Sequence, residues 1–386
     1  MSANVPAIRF SGFADPWEQR KLGDIVDVCS GRDYKHLSEG PIPVYGTGGY
    51  MTSVSEALEH KRDAVGIGRK GTIDSPYVLR APFWTVDTLF YCPPKDDVDL
   101  DLALCLFLNI NWRAKDESTG LPSLSKEAIR QTETFVPGYG EQRAVGALFS
   151  RLDSLIALHQ RKHNQLSVLK SSLLERMFPK PGSDVPELRF SGFADPWEQR
   201  KLGEVCSIER GERFTAADYV ESGGIPCIHY GEVYTDYGPV ATEAISQVCP
   251  GLEGRLRYAN PGDIILTSTS ENVEDVCKAV AWMGKTQVSY HDDSFALSHS
   301  EDSLFLTSYF QTGGFSEQKA AMAHGVKVMR VGQEDLANIS IPLPRLPEQR
   351  AVGALFSRLD SLIALHQRKL EKLRALKQSL LQKMFV

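Results

Sequence analysis

Apolar residues recur at alternating spacings of three and four in two long stretches of the chain. In the first stretch the positions are Val145, Leu148, Leu152, Leu155, Leu166, Leu169 and Leu173. In the second they are Val352, Leu355, Leu359, Leu362, Leu373, Leu376 and Leu380. This period is typical of the contact line of a coiled coil. It predicts two long helices, each spanning roughly 55–60 Å.

Polar residues interrupt each stretch near its middle, at His159 and Lys162 in the first and at His366 and Lys369 in the second. Buried polar residues of this kind specify the pairing register of a coiled coil, whereas solvated ones have no such role. The sequence leaves both interpretations open.

The rest of the chain has short apolar runs separated by Gly, Pro, Asn and Asp, which predict strands. The runs are residues 42–45, 64–68 and 89–91, then 262–267 with its leading turn, and 276–282. Residues 100–112 predict a helix. Both regions are therefore expected to be mixed α+β domains.

Two segments occur twice without change. The short repeat covers residues 9–23 and 189–203, at an offset of 180, and the long repeat covers 141–162 and 348–369, at an offset of 207. Between them lie a first block (24–140) and a second block (204–347) without obvious similarity. Solenoid repeats are short and similar throughout, so this pattern indicates something else. The constant parts of this tandem repeat are expected to contact either a constant partner or each other, and the two blocks to perform the same kind of function on different targets. Two bound copies of one partner, related by a pseudo-two-fold axis, fit the pattern best.

The predicted boundaries follow the repeats: a first domain (1–140), the first long helix with its linker (141–181), a second domain (182–347) and the second long helix (348–386). Pro179, Pro181 and Gly182 mark the linker. An alternative is that each long helix packs only on its own block. The repeated surface residues argue against it, and the exposed arginines among them are the predicted partner contacts: Arg143, Arg151, Arg161, Arg350, Arg358 and Arg368.

The net charge of −6 does not favour nucleic-acid binding. The charge is unevenly distributed, because the two blocks are acidic, whereas residues 141–181 hold 7 Lys and Arg against 3 Asp and Glu. The seven scattered cysteines predict neither disulfides nor a zinc site. The first residues lack a signal-peptide pattern and no apolar run is long enough for a bilayer, so we expect a cytoplasmic protein without a membrane partner.

Loops after the predicted strands carry polar and basic residues among aromatic ones, the types that contact bases and phosphates. The first block offers Lys35, Tyr45, Tyr50, Arg69, Lys70, Thr72, Ser75 and Tyr77. The second offers Arg213, His229, Tyr230, Thr267, Ser268, Ser270, Asn272 and Lys327.

The opening FSGFADPWEQRKLGDIVDV, the internal GIGRKGTIDSPY and the exit IPLPRLPEQRAVGALFSRLDSLI resemble specificity subunits of type I restriction–modification enzymes. The resemblance covers essentially the whole chain. It implies two target-recognition domains, each recognising one half of a split, asymmetric site in double-stranded DNA, held apart by an antiparallel pair of helices.

The resemblance also implies the partners: two adenine methyltransferase subunits, which two restriction subunits can join. It places S-adenosylmethionine, ATP and Mg²⁺ on those subunits, with no cofactor and no catalytic residue in this chain. The second block departs from the family pattern, because Thr267–Ser270 stands where the first block has Gly68-Arg69-Lys70-Gly71.

Enzymatic alternatives find little support. Residues 279–286 match a relaxed phosphate-loop pattern, but Trp282 and Met283 crowd it. Residues 92–95 lack the amide or acid and the aromatic of a base-flipping methyltransferase loop. Residues 46–49 are more typical of a turn, and His291-Asp292-Asp293 of a solvated loop than of a metal site. A stand-alone adaptor with two binding domains and no methyltransferase partner remains the alternative function.

Overall fold

The computed structural model describes residues 4–386. The chain divides into two compact units. Unit 1 consists of the residues up to Gln160 together with Arg368–Val386, and unit 2 is Arg161–Gln367. The division crosses both long helices, so each unit contains one block and part of each helix. The boundaries inferred from the repeats rest on a different criterion and stay a prediction.

The elements of the first half of the chain are β1 Glu18–Lys21, α1 Leu22–Ile25, β2 Cys29–Ser30, β3 Ile42–Gly46, β4 Gly49–Val54, β5 Ala64–Gly68, β6 Tyr77–Leu79, β7 Trp84–Thr85, β8 Leu89–Cys92, α2 Leu100–Asn109, α3 Lys126–Arg130, β9 Glu133–Val136 and α4 Tyr139–Met177. A 3₁₀ turn, Trp112–Lys115, follows α2.

The elements of the second half are β10 Glu198–Lys201, α5 Leu202–Val205, β11 Cys206–Arg210, β12 Tyr219–Val220, β13 Ile225–Ile228, α6 Tyr230–Thr235, β14 Val240–Ala241, β15 Ser246–Val248, β16 Tyr258–Ala259, β17 Ile264–Thr267, β18 Thr269–Ser270, β19 Ala279–Trp282, β20 Val288–Tyr290, β21 Ser294–His299, α7 Ser303–Tyr309, α8 Gly313–Met322, β22 Met329–Arg330, α9 Gln333–Asn338, β23 Ser340–Leu343 and α10 Leu346–Lys383. A 3₁₀ turn, Ala216–Asp218, precedes β12.

Each block folds into small sheets with mixed strand directions. Unit 1 has a four-stranded sheet of order β2-β8-β5-β6 and a three-stranded sheet of order β4-β3-β7. Unit 2 has two five-stranded sheets, of orders β11-β21-β17-β19-β14 and β12-β15-β13-β20-β16. The mixed α+β prediction is therefore confirmed for both blocks.

The predicted elements are found with small shifts in their ends. The run at 64–68 is a strand whose five residues are all buried, as its lack of polar side chains implies. Helix α2 begins after Asp99, whose side chain accepts a hydrogen bond from Leu102 N, and ends at Asn109, short of the predicted Trp112. The run at 276–282 becomes a strand only at Ala279, because Cys277 has a positive φ of 61°.

In each unit a buried ion pair joins the short repeat to the long repeat. The Arg9 guanidinium donates to both carboxylate oxygens of Glu141 at 2.7 Å, and Glu141 is only 2% exposed. Arg189 donates in the same way to Glu348, at 2.6 and 2.7 Å. The carboxylate raises the pKa of each arginine through this hydrogen bond. The pair fixes the start of a long helix against the segment that begins each half.

The glutamine that follows the paired glutamate in each long helix binds the block through a hydrogen bond. Gln142 Oε1 accepts from Asp99 N at 3.0 Å, and Gln349 Oε1 accepts from Asp302 N at 3.0 Å. Both aspartates cap the helix that follows them, α2 in unit 1 and α7 in unit 2. Although the blocks are dissimilar, each docks on the long repeat through the same bonds.

One glycine in each long helix permits this docking. A Cβ on Gly146 would lie 2.3 Å from Asp99 Oδ1, and one on Gly353 would lie 2.5 Å from Asp302 Oδ1. The Glu, Gln and Gly that occur in both copies of the long repeat therefore make contacts within the chain, and these residues are explained without a partner.

The two long helices run antiparallel within each unit. In unit 1 Phe149 lies 6.0 Å from Phe385, and Lys377 pairs with Asp153 at 2.5 Å. In unit 2 the residues at the same offset repeat both contacts: Phe356 with Phe178 at 6.0 Å, and Asp360 with Lys170. This agrees with the predicted helix pair, and the predicted positions Leu148, Leu152, Leu373 and Leu380 lie in or against the core of unit 1 together with Phe149. Four predicted contact positions are instead exposed: Leu155, Leu169, Leu362 and Leu376.

The C-terminal end of each long helix also contacts the residue just before a short repeat: α10 in unit 1 and α4 in unit 2. Ile8 N donates to Lys383 O at 2.9 Å, and Leu188 N donates to Arg176 O at 2.8 Å. Trp17 packs edge-on against Phe385 at 5.7 Å, and Trp197 packs against Phe178 at 5.9 Å. Both units are therefore built on one frame of matching contacts, most of them between identical residues.

Replacing Glu141 by Gln should destabilise unit 1, because Arg9 keeps its charge in a nearly buried position without a counter-charge. We expect the free energy of unfolding to fall by about 3 kcal/mol. The matched control is Asp97→Asn, which breaks the exposed Arg20–Asp97 pair (2.7 Å) and should cost no more than about 1 kcal/mol. Chemical denaturation of the full chain measures both values. Equal losses in the two variants would show that the buried pair has no special role.

Candidate nucleic-acid interface

In unit 1 the ends of two strands bring two polar loops together. Strand β3 ends at Gly46 and leads into Thr47, and β5 ends at Gly68 and leads into Arg69–Thr72. A Cβ on Gly68 would lie 1.9 Å from Thr72 O and 3.2 Å from Thr47 Cγ2. Glycine is thus required at position 68 for the two loops to approach. It places predicted contact residues from separate strands side by side.

Two further segments join the same edge through backbone hydrogen bonds. Residues 85–88 connect to both loops, through Val86 N to Tyr45 O (3.0 Å) and Arg69 N to Thr88 O (2.7 Å). The segment 116–123 follows, through Leu124 N to Arg69 O (2.9 Å). We call residues 45–49, 69–72, 85–88 and 116–123 the strand-end surface of unit 1.

The side chains of this surface combine cations with aromatic rings. Arg69 lies over the Phe90 ring at 5.9 Å and donates to Asp87 O at 3.4 Å, leaving most of its donors at the surface. Tyr45 lies 6.2 Å from Tyr77 and 6.4 Å from Tyr50. Tyr77 donates to Gly46 O at 2.5 Å, and burial raises its pKa, so it stays a neutral donor.

The other candidates of the first block differ in position. Lys70 and Thr72 are exposed on the strand-end surface, Ser75 is exposed further along the same loop, and Lys35 is exposed on the loop after β2. That loop approaches the surface because Arg32 N donates to Thr85 O at 2.8 Å. All eight residues therefore lie on or beside one region of unit 1.

The segment 116–123 carries no sequence signal of a contact loop. Asp116 Oδ1 accepts from Ser118 N at 3.0 Å and from Ser123 N at 2.9 Å, closing it into a loop. At its tip Leu121 is 67% exposed. An isolated leucine among polar residues carries no signal in the sequence, and only its placement beside Lys70 makes it relevant.

Unit 2 has the same hydrogen-bond framework. His291 N donates to Ile228 O (3.4 Å), Ser268 N to Asp293 O (2.8 Å) and Val331 N to Ser268 O (3.0 Å). These bonds match Val86–Tyr45, Arg69–Thr88 and Leu124–Arg69 of unit 1. The strand-end surface of unit 2 is therefore residues 228–230, 268–272, 290–293 and 323–330.

In unit 2 this framework carries different side chains, several of them with imidazole or aromatic rings. His229 lies 4.5 Å from Tyr230 and 5.6 Å from His291, and Phe214 lies 4.9 Å from His291. Burial, helped by His291, lowers the pKa of His229. Its neutral Nδ1 accepts from Gly231 N at 3.1 Å at the start of α6. The clustered imidazole and aromatic rings distinguish this surface from that of unit 1, while both surfaces carry acidic and basic residues.

Several second-block candidates need correction. Thr267, Ser268 and Ser270 are buried, at 0%, 4% and 6% exposure, which does not fit direct contact of their side chains with DNA. They lie inside the fold because Thr267 belongs to strand β17, Ser268 bonds to Asp293 and Val331 through its backbone, and Ser270 lies in strand β18, which pairs with β22. Asn272, Arg213 and Lys327 are exposed, and His229 and Tyr230 are half-buried. Arg330, exposed beside β18, is a further cation that the sequence analysis missed.

Two segments of unit 2 have features of other ligand sites, one for a metal ion and one for a phosphate group. Among the described residues, His291, Asp292 and Asp293 form one group with metal-ligand character. However, His291 Nδ1 already accepts from Asp293 N at 3.1 Å, and its Nε2 lies 3.2 Å from Phe214 O. In the segment 279–286, a Cβ on Gly284 would lie 2.2 Å from the Trp282 ring. The indole thus fills the space that a phosphate would need.

The six candidate partner-binding arginines all lie on the exposed face of the long helices. Each occurs in both copies at the offset of 207: Arg143 with Arg350, Arg151 with Arg358 and Arg161 with Arg368. Within residues 4–386 none of them forms an ion pair. None of the helices described combines the length and the apolar character that crossing a bilayer requires.

Comparison with known proteins gives consistent results. A family model described as "Type I restriction modification DNA specificity domain" matches residues 14–168 and 194–375. The chain is 22% identical over 327 residues to the type I restriction enzyme MjaVIII specificity subunit of Methanocaldococcus jannaschii, covering 82% of this chain and 73% of that protein. It is 22% identical over 291 residues to the putative MjaX specificity subunit of the same organism, covering 72% of this chain and 63% of that protein.

The fold also matches a solved structure. The crystal structure of a type I restriction–modification system S subunit from M. genitalium aligns with a TM-score of 0.66 and 15% sequence identity, covering 99% of each chain. At this identity the likeness concerns the fold.

Acid should destabilise unit 2 through His229. Because its pKa is lowered in the folded state, the unfolded chain takes up the proton first, so stability is lost as the pH falls below about 6.5. Protonation of Nδ1 also removes the acceptor for Gly231 N. His229→Asn keeps an acceptor without the titration and should flatten the loss of stability between about pH 7 and pH 5. Denaturation midpoints at several pH values measure this. An unchanged pH dependence in the variant would exclude His229 as its source.

Proposed function

This chain belongs to the type I restriction–modification DNA specificity family, and from that membership we propose that it sets the DNA sequence recognised by a methyltransferase and restriction complex. It is the non-catalytic specificity subunit. Each unit recognises one half of a bipartite, asymmetric site in double-stranded DNA through its strand-end surface. The observation that carries this proposal is that two dissimilar blocks present their polar loops from one shared hydrogen-bond framework.

The different side chains on the two surfaces suit two different half-sites. Bases are distinguished in the major groove by their pattern of donors, acceptors and methyl groups. Unit 1 presents Arg69 and Lys70, which are donors only. Unit 2 presents the Asp292 carboxylate, which is an acceptor, and the half-buried His229, whose neutral ring has Nε2 as its donor because Nδ1 already accepts from Gly231 N. A shared backbone with exchanged side chains is what recognition of an asymmetric sequence requires.

The acidic charge of the two blocks indicates that partner subunits contribute to DNA binding. The two blocks are acidic, with 12 basic against 17 acidic residues in the first and 10 against 20 in the second. Affinity for DNA depends largely on neutralising phosphates with Lys and Arg. We therefore propose that the surfaces supply selectivity, and that the basic long helices and the bound subunits supply most of the affinity.

The repeated arginines of the long helices fit a partner bound twice. Because the contacts around Glu141, Gln142 and Gly146 are internal, the exposed repeated residues are left for a partner. We propose that one adenine methyltransferase subunit docks on each copy, bringing S-adenosylmethionine to the DNA. Two restriction subunits with ATP and Mg²⁺ can then join the complex.

Exchanging the first block (24–140) for that of another specificity subunit should change one half of the methylated sequence and leave the other unchanged. The physical reason is that each block docks on its own copy of the frame. Mapping N6-methyladenine in DNA from cells that express the chimera and the methyltransferase measures the result. The reciprocal exchange of 204–347 is the control. A chimera that alters both half-sites would contradict independent recognition.

Reversing the charge of one set of repeated arginines should remove one methyltransferase subunit. We expect the double variant Arg143→Glu and Arg151→Glu to bind one copy instead of two, because the second set at Arg350 and Arg358 is intact. The mass of the purified complex measures this stoichiometry. Lys61→Glu, an exposed change outside the long repeat, should retain two copies. Two copies bound to the double variant would exclude these arginines as the docking contact.

A further inference from the structure

Lys319 of helix α8 is a buried lysine whose partners are backbone carbonyls. Its side chain is 7% exposed, and Nζ donates to Glu274 O at 2.5 Å and to Val276 O at 2.8 Å. Burial lowers the pKa of this amine. A charged group is rarely buried unless it is well paired. The position of Lys319 therefore calls for a function beyond filling the core.

Helix α8 holds the amine in a fixed place. The Thr312 side chain caps the helix by accepting from Phe315 N at 3.3 Å. Phe315 is fully buried and lies 4.8 Å from Phe310 and 5.9 Å from Tyr309. The two hydrogen bonds of Lys319 therefore attach the loop 271–278 to a rigid element.

The first two residues of this loop belong to the strand-end surface of unit 2, and its other end has an unfavourable backbone conformation. Cys277 has a φ of 61° although it carries a side chain, which is buried at 1% exposure. Such left-handed residues persist only where the surroundings hold them in place. The surroundings here are Lys319 on one side and the bond from Cys277 N to Thr267 O (3.0 Å) on the other.

The exposed end of the loop carries the predicted contact residue Asn272. Its Oδ1 accepts from Asp275 N and its Nδ2 donates to Asp275 Oδ2, both at 2.8 Å. The next residue, Val276, is fully buried and is one of the two held by Lys319. A shift of the loop at Val276 would thus move Asn272.

Unit 1 holds the corresponding loop in a weaker way. The loop between β5 and β6 contains Asp74, whose carboxylate pairs with Arg113 at 2.5 Å. Arg113 lies in the 3₁₀ turn after α2, as Lys319 lies in the helix after α7. Because Arg113 is 74% exposed, solvent screens this pair. A cation after the docking helix restrains the loop in both units, but only in unit 2 is it buried.

We propose that Lys319 is a positioning residue for DNA recognition: it holds the loop 271–278 so that Asn272 faces the half-site of unit 2. This inference rests on the proposed function, because it assumes that the strand-end surface meets DNA. Lys319 itself does not contact the bases.

The test uses the full chain assembled with its adenine methyltransferase subunits and a pool of duplexes randomised within the bipartite target. Sequencing of methylated molecules gives the preference at every position of both half-sites. Lys319→Met removes the donors and keeps the apolar stem. We expect about a tenfold loss of discrimination at one or more positions of the second half-site. The first half-site should be unchanged.

Two controls separate positioning from stability. Lys319→Gln keeps donors on a shorter side chain and should restore part of the discrimination, and Arg113→Met should affect only the first half-site, and less. Hydrogen exchange of residues 271–278 in the DNA-free complex gives a second measurement, which does not depend on methylation. We expect faster exchange there in Lys319→Met and unchanged exchange in unit 1.

The outcomes are distinct. If the wild-type complex shows no bipartite preference, the proposed function fails. If the wild-type preference is bipartite and Lys319→Met retains it at every position, the positioning role is wrong. A uniform decrease of methylation across all sequences, or exchange that is unchanged at 271–278, also overturns the inference, because either result indicates a general structural role.

Discussion

The buried pairing of Arg9 with Glu141, repeated as Arg189 with Glu348, is the interaction on which the rest of the structure depends. It joins the two constant segments of each unit at the point where a long helix begins. The next glutamine, Gln142 or Gln349, binds the capped helix of the block, so the orientation of each block follows from this pair. A buried charge without its partner is costly, which makes both members of each pair necessary.

A constant frame that holds variable blocks accounts for the proposed recognition of two unrelated half-sites by one subunit. Each block needs only a few shared features: an aspartate that caps the docking helix, and a glycine after the first strand of the block. Gly31 and Gly211 are these glycines, where a Cβ would lie 1.9 Å from Val86 O and 2.3 Å from His291 O. Outside such positions the block is free to vary, and its loops can take different chemistry without disturbing the helices.

The sequence predicted the frame well, because repeats, helix periodicity and buried strands are local patterns. It could not show that the two blocks share a framework, since that framework consists of backbone hydrogen bonds, which any side chain allows. Orientation was also beyond the sequence. Thr267–Ser270 has the composition of a contact loop but lies inside the fold, whereas Lys319 resembles a surface lysine and is buried. Phe149 and Phe356 were missed because they lie beside the leucine pattern and not within it.

The central claim is that this chain alone sets the DNA sequence that its complex modifies. The most direct test is to map N6-methyladenine in the host genome with and without the gene. The account predicts that one asymmetric motif, with two defined halves and an unspecified spacer, is methylated in the first case and unmethylated in the second. Loss of no motif, or loss of a continuous symmetric one, would contradict it.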